Sequence, residues 1–228
     1  MGVWFRVFLS LLRRHNIPLD SHLKALDIGC GHGMVINQME EVSNWDVDGA
    51  DINMTALCKG KAKRGQKYFY NIADQHASLV ESFDAVFLFD VIEHIAEPHH
   101  FLASALGHVK PGGYLIINVP ALQSLFSVYD QAAGHIRRYS RNLLSAELSG
   151  LPVEVLEMAY WGMSLVPVLA VRKLLLTEKK ESGEILQKGF EVTNKTVNQF
   201  FLGLMKIETS LLKHPPIGAS LFAIVQKK

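Results

Sequence analysis

Three glycines at alternate positions, Gly29, Gly31 and Gly33, end an apolar run at Lys24–Ile28 and open a helical pattern of Met34, Val35, Met39 and Val42. Strand, glycine turn and helix in that order make a nucleotide-binding corner. Glycine tolerates φ > 0 and lets backbone approach a ligand without an intervening Cβ. The helix N-terminus adds oriented N–H groups. Asp27 lies in the apolar run and Cys30 in the turn. Asp51 ends a second strand-like run that starts at Trp45, a place where a carboxylate can accept both hydroxyls of a ribose. The spacing selects among ligands. A dinucleotide site requires Gly-x-Gly-x-x-Gly, but Met34 holds the place of its third glycine. The lysine of a phosphate-cradling loop is missing too. An NAD-dependent oxidoreductase is thus a disfavoured enzyme reading.

Two more clusters carry chemistry. Phe89-Asp90-Val-Ile-Glu93-His94 leaves a strongly apolar run, Phe83–Phe89. Two carboxylates and an imidazole form a reasonable ligand set for a divalent ion. The plainer reading has Glu93 and His94 cap the next helix and shape a pocket; it is preferred, and no metal is assigned. Gly134-His135-Ile-Arg137-Arg138-Tyr139 lies just past the fifth strand, on the side where strand C-termini open onto ligand. Histidine is the usual general base at neutral pH, and paired arginines suit phosphate or carboxylate. His135, Arg137, Arg138 and Tyr139 are therefore the catalytic candidates, with Tyr129 and Asp130 placed along the same pocket. The alternative is a solvated arginine pair beside a core tyrosine.

The elements that must position these groups are legible in outline. A chain of 228 residues buries one substantial core. Strands are expected at Lys24–Ile28, Trp45–Asp51, Lys67–Asn71, Phe83–Phe89, Tyr114–Val119, Val153–Tyr160 and Ala219–Val225. Helices are expected at Met34–Val42, Asn53–Arg64, Pro98–Val109, Arg141–Leu148, Ser164–Leu176 and Thr193–Leu212, with a solvated loop at Lys179–Gly189. This βα alternation argues for a doubly wound parallel sheet. Net charge is +1, so no basic field points to nucleic acid. Two cysteines, Cys30 and Cys58, form no metal pattern or disulfide framework, which favours a reducing compartment. Mean hydropathy is +0.14, with the apolar excess at the two ends. The first helix, Met1 to Arg14, could lie on a membrane surface or pack on the domain as a lid; the second is preferred. Met158–Val171 is an uncharged run of 14 residues, shorter than the ~20 that cross a bilayer.

Together the motifs Leu26–Gly33, Gly49-Ala-Asp51, Phe-Asp-x-Val-x-x-x-Asp-Val-x-Glu-His over Phe83–His94, and Leu-x-x-Val-Lys-Pro-Gly-Gly ending at Gly113 resemble the class I S-adenosylmethionine (SAM)-dependent methyltransferases. The chain also resembles, within that family, the ubiquinone-biosynthesis type of O-methyltransferase and glycan- and lipid-pathway relatives with a Gly-His-x-Arg-Arg-Tyr segment. The resemblance covers residues 24–120. It implies that Asp27, Gly29, Cys30, Gly31 and Gly33 flank the methionine part of SAM. Asp51 would hold the ribose, Ile52 would lie against adenine, and Asn71 with Ile72 would meet the adenine amine. Phe89 and Asp90 would border the sulfonium. In ubiquinone-type enzymes an acid-x-x-Glu-His cluster similar to Asp90, Glu93 and His94 can hold a divalent metal.

The resulting expectation is a Rossmann-like, doubly wound, seven-stranded α/β sheet with a late antiparallel strand and a C-terminal helical cap. Residues 1–20 form an amphipathic helix, 21–163 the SAM-binding core, 164–216 a helical cap and 217–228 the final core strand. The expected activity is SAM-dependent methylation, on oxygen, of a small-molecule or lipid-linked acceptor, in the cytoplasm or peripheral to the inner face of a membrane. A non-catalytic SAM-binding regulatory domain is the rival from another class.

Overall fold

The computed structural model describes residues 2–60, 62–175 and 195–228. A first helix, α1 (Val3–Arg14), precedes β1 (Lys24–Ile28), α2 (Met34–Val42), β2 (Asp46–Asp51), α3 (Met54–Lys59) and β3 (Lys67–Phe69). There follow β4 (Phe83–Phe89), α4 (Pro98–His108), β5 (Val109–Pro120), α5 (Val128–Ala132), α6 (Arg141–Leu148) and β6 (Val153–Trp161). The chain then runs through α7 (Val166–Leu175) and α8 (Lys195–Leu211) to β7 (Ser220–Lys227).

The seven strands form one sheet in the order β3-β2-β1-β4-β5-β7-β6. The pairs from β3 through β5 are parallel, and β7 is antiparallel to both β5 and β6. Strands β1 and β4 are mostly apolar, interrupted by Asp27 and Asp84, because both of their faces are covered. Leu26, Val86, Leu88, Leu115 and Ile117 pack on one side with Leu102 and Leu106 of α4 and Leu144 and Leu148 of α6. Ala25, Ala85, Phe87, Ile116 and Phe222 pack on the other with α1 and α2. From β1 the chain proceeds outward to β2 and β3, then returns to place β4 on β1's other side. That reversal opens a crevice at the strand C-termini between β1 and β4, the usual ligand position in such sheets.

Helix α1 is part of the core. Phe5, Phe8, Leu9, Leu11 and Leu12 are buried, and the Phe8 ring lies 5.4 Å from Phe87, 5.1 Å from Phe89 and 6.1 Å from Phe222. Burying each such side chain stabilises by about 1.5–3 kcal/mol. The packed arrangement is therefore the observed one, and the apolar side of α1 is not available to a membrane.

Other departures from expectation have tertiary causes. Helix α3 stops at Lys59, five residues short of Arg64, because the Glu40 carboxylate accepts hydrogen bonds from the backbone N–H groups of Lys63, Arg64 and Gly65. These bonds hold the segment as a turn. Strand β3 ends at Phe69, before Asn71, whose side chain accepts from the Ala73 N–H and starts a 3-10 turn at Ile72–Asp74. Strand β5 begins at Val109, earlier than Tyr114, with a register shift opposite Phe83 and Ala85. The Lys179–Gly189 loop and the start of the Thr193–Leu212 helix lie outside the described residues. No described helix is long and apolar enough to cross a membrane.

Candidate functional site

A cavity of about 370 Å³ opens at the β1/β4 reversal, lined by Trp4, Asp27, the Gly29–Gly31 turn, Met34, Phe89, Asp90, Asn118 and Trp161. Gly29, Gly31 and Gly33 all have positive φ, 76°, 52° and 86°, so the turn bends in a way side-chain-bearing residues resist. Gly29 is also tight, since a Cβ there would lie 2.7 Å from Val91 Cγ2. Asp51 locks the turn from the tip of β2. One carboxylate oxygen accepts from Gly31 N at 2.7 Å and the other from Asn53 N at 2.7 Å. The Cys30 thiol is pushed up to about 12, by burial first and then by the charges of Asp27 and Asp51, so it stays protonated.

Two carboxyls face this cavity in unusual states. Asp27 is 2% exposed and its Oδ2 has no hydrogen-bond partner. Burial, with the Asp51 charge second, pushes it up to about 8. Asp90 has φ 55° and lines the cavity; as a residue it is exposed. Burial raises it to about 6, opposed by His135 and by the Asn118 hydrogen bond. Asn118 Nδ2 donates to Asp90 Oδ1 at 3.0 Å, and Trp161 Nε1 donates to Asn118 Oδ1 at 2.9 Å.

Beyond Asp51, Ile52 is 74% exposed, and Met54 and Phe69 are also exposed. Phe69 is in register with Asp51, so these apolar side chains cluster where β2 and β3 end. Asn71 and Ile72 stand differently from the other candidates. The Asn71 oxygen is engaged by Ala73 N, Ile72 is buried in the core, and neither lines the cavity.

The second cluster is built by an excursion of the chain after β5. Ala121 and Tyr139 pair as a parallel bridge, and Tyr139 N donates to the Pro120 carbonyl while Leu122 N donates to that of Tyr139. The residues between are thereby closed into a loop over the sheet. Asp130 organises it. Its Oδ2 accepts from Ser127 N and Oγ, tying off the start of α5, while its Oδ1 accepts from Arg138 Nε and Nη2 at 2.8 and 2.7 Å. His135 Nδ1 also meets Asp130 Oδ1, at 3.1 Å. Burial works against its ionisation, but the bonds from His135, Arg138 and Ser127 with the Arg138 charge hold Asp130 down at about 2. An ionised Asp130 only accepts, so His135 carries its proton on Nδ1 and leaves Nε2 as an acceptor.

That Nε2 lies 4.0 Å from Glu93 Oε1. Glu93 is fully buried and neither of its oxygens has a hydrogen-bond partner. Burial, then the Asp90 charge, pushes it up to about 8. The His94 ring is 4.8 Å from that of His135, and its Nδ1 donates to the Gly134 carbonyl at 3.0 Å, leaving Nε2 as an acceptor. Ligand atoms of Glu93, His94 and His135 all lie within 4.8 Å of one another, a donor set that fits a divalent cation. The expected capping role fails: Glu97 precedes α4, which has no side-chain cap.

Three catalytic candidates are placed differently from His135. Arg138 is 4% exposed and bonded to Asp130 and the Ala121 carbonyl, so it cannot read an acceptor. Tyr139 is fully buried, its hydroxyl donates to the Ile92 carbonyl at 3.2 Å, and burial raises its pKa. Arg137 donates to the Ala96 carbonyl at 3.0 Å and lies 3.8 Å from Glu147. All three build the loop that carries His135. Asp130, given only a place along the pocket by sequence, is the group that orients the imidazole. Its signal is Ser127-Val-Tyr-Asp130, an N-terminal capping signature with Asp in the fourth place. The unpartnered state of Asp27 and Glu93 has no signal in sequence.

A family described as "Methyltransferase domain" matches residues 4–157. The ubiquinone biosynthesis O-methyltransferase of Maricaulis maris is 36% identical over 99 residues, covering 41% of this chain and 39% of that protein. The chain thus spans about two fifths of the length of this curated relative. Among solved structures, a SAM-dependent methyltransferase from Archaeoglobus fulgidus superposes with TM-score 0.57 at 19% identity, over 98% of this chain and 94% of that one. One from Mesorhizobium loti superposes with TM-score 0.61 at 13% identity, over 99% and 100%. With the motif order, the 3-2-1-4-5-7-6 sheet and the family match in agreement, the chain belongs to the methyltransferase-domain family, in its class I SAM-dependent branch.

Proposed function

We propose that this protein methylates a hydroxyl of a small-molecule acceptor, with SAM as donor and His135 as general base. One observation carries the reading: His135 offers Nε2 as an acceptor, oriented through Nδ1 by Asp130, and its ring acts electrostatically on Asp90, which lines the β1/β4 cavity. SAM supplies an activated methyl on a sulfonium. The residues present fit it: the unpartnered Asp27 carboxyl suits its ammonium, Asp51 its ribose, and the exposed Ile52, Met54 and Phe69 its adenine. The protein's task is to hold an acceptor oxygen in line, which supplies several kcal/mol by orientation. His135 Nε2 accepts the hydroxyl proton as the oxygen takes the methyl, and Asp130 steadies the imidazolium. Turnover of radiolabelled SAM against a panel of phenols and alcohols tests this. His135→Ala should lower kcat by roughly 10²–10⁴-fold while S-adenosylhomocysteine affinity holds. Full activity in that variant refutes the base. Cofactor binding without turnover on any acceptor favours the regulatory alternative.

The convergence of Glu93, His94 and His135 supports a second reading, in which they hold a divalent cation. Such an ion would polarise an acceptor oxygen and make His135 a ligand. Calorimetric titration with Mg²⁺ and Zn²⁺ decides. Binding lost in Glu93→Gln supports it, and no binding removes it.

The narrower reading of the acceptor is a lipid-linked one, met at a membrane surface. Support comes from α7, where Val168, Val171, Leu174 and Leu175 are 36%, 53%, 81% and 73% exposed. A Leu174→Ser/Leu175→Ser variant should then sediment less with anionic liposomes. Indifference of the unmodified protein to liposomes refutes it.

A further inference from the structure

The acceptor lacks a cation to recognise it once Arg137 and Arg138 are committed to protein partners, and the cap supplies one. Helix α7 packs on the excursion with a polar inner side. Its Lys173 Nζ donates to the Ser124 carbonyl at 2.8 Å, and its Arg172 guanidinium carbon lies 3.9 Å above the Tyr129 ring. Tyr129 adjoins Asp130, the residue that holds His135. Arg172 Nε is buried without an acceptor. Among the described residues no carboxylate lies within ion-pair distance of Arg172, whereas Arg138 is paired with Asp130 at 2.7 Å.

We propose that Arg172 determines acceptor specificity by binding an anionic oxygen group, a carboxylate or phosphate, beside Tyr129 and next to the His135–Asp130 pair. The proposal rests on the methyltransferase reading above and gives its acceptor a charge. A half-buried guanidinium with no direct carboxylate partner among the described residues is costly to desolvate. Stacked on an aromatic face, it is held with its planar fork ready for two parallel bonds to an oxyanion. The Asp130 charge acts on Arg172 from a distance, opposed by the Arg138 charge, and its Oδ1 is already bound by Arg138 and His135, so it leaves room for a direct oxyanion partner. An acceptor would then span from Arg172 at its anionic end to His135 at its hydroxyl.

The full-length protein saturated with S-adenosylhomocysteine is titrated with phenyl phosphate, benzoate and benzyl alcohol. Binding of either anion, at least tenfold weakened by Arg172→Met, supports the proposal, provided benzyl alcohol and S-adenosylhomocysteine affinities do not move. A merely structural role for Arg172 would move all three. Preference for phenyl phosphate identifies a phosphate, and preference for benzoate a carboxylate. Anion binding unchanged in Arg172→Met overturns the proposal. So does failure of both anions to bind while the cofactor product binds. Failure of S-adenosylhomocysteine itself removes the methyltransferase reading and this proposal with it. Should Arg172→Met not fold, Arg172→Lys carries the test: it keeps the charge but not the fork, so anion affinity should fall several-fold, and equal affinity overturns the assignment.

Discussion

Asp27→Asn is the most informative single change, because it separates the cost of a buried carboxyl from its use. Asp27 is unpartnered and pushed up from 3.8 to about 8 by burial and the Asp51 charge. A carboxyl whose pKa is raised on folding contributes stability that is intact below its unfolded pKa and lost as pH rises through the folded one. Between pH 3.8 and neutral the loss accrues at about 1.4 kcal/mol per pH unit, about 4 kcal/mol in all. The asparagine variant escapes it, so the ligand-free variant should melt higher than the parent at pH 7–8 and no higher near pH 4. Cofactor binding should show the opposite preference. An ammonium beside Asp27 favours the ionised form, so binding near pH 7 should release most of one proton, seen as calorimetric heats that depend on the buffer. Parent affinity should rise from pH 6 to pH 8 and then fall as the ammonium deprotonates. The variant should lose the rising limb and bind roughly 10–100-fold more weakly at pH 8, as for a bond to a charged group. Equal affinities at pH 8, or a pH profile shared by parent and variant, would refute the assignment of Asp27 to the ammonium.

Asp51→Ala should lower SAM affinity by about 1.5–3 kcal/mol and speed amide exchange at Gly31 and Asn53, whose N–H groups it binds; unchanged affinity removes it from the ribose. Gly29→Ala, with its φ of 76° and a Cβ 2.7 Å from Val91, should cost about 1–3 kcal/mol of stability, partly restored by Val91→Ala in a denaturant series. Tyr139→Phe removes one of the two hydrogen bonds that the Ile92 carbonyl accepts, the other coming from Ile95 N, and should lower stability by about 0.5–1.5 kcal/mol at unchanged kcat, whereas a collapse of kcat at full stability would return Tyr139 to the catalytic set. Phe8→Ala, which empties the contact with Phe87, Phe89 and Phe222, should cost about 3–5 kcal/mol by chemical denaturation, and a neutral result would return α1 to the surface.

The strands and the glycine turn were readable because buried parallel strands are apolar runs and the turn demands glycine. Helices α2 and α6 ended where periodicity placed them. Helix α3 did not, since its end depends on the Glu40 carboxylate, 23 residues before Lys63. His135 was readable as an imidazole after β5. The fate of Arg138 was not, because a basic pair looks solvated until a buried acid, Asp130, is found beside it. Arg172 gives no local signal at all: its meaning comes from a contact with Tyr129 across a fold.

The sheet order also sets a timetable for biosynthesis. Strand β6 reaches the sheet only through β7, and α1 rests on Phe222 of that same strand. A ribosome adding about 5–20 residues per second takes roughly 10–45 s to travel from Phe8 to Phe222. Throughout that interval the aromatic side of α1 is only partly covered, and once β5 and β6 are made the β5 edge stays unpaired and β6 has no neighbour until β7 arrives. Completion is therefore a single late event, in which one strand pairs twice and receives the first helix. A chain stalled anywhere between β6 and β7 exposes two strand edges at once, which makes this interval the one in which a nascent-chain chaperone has most to bind.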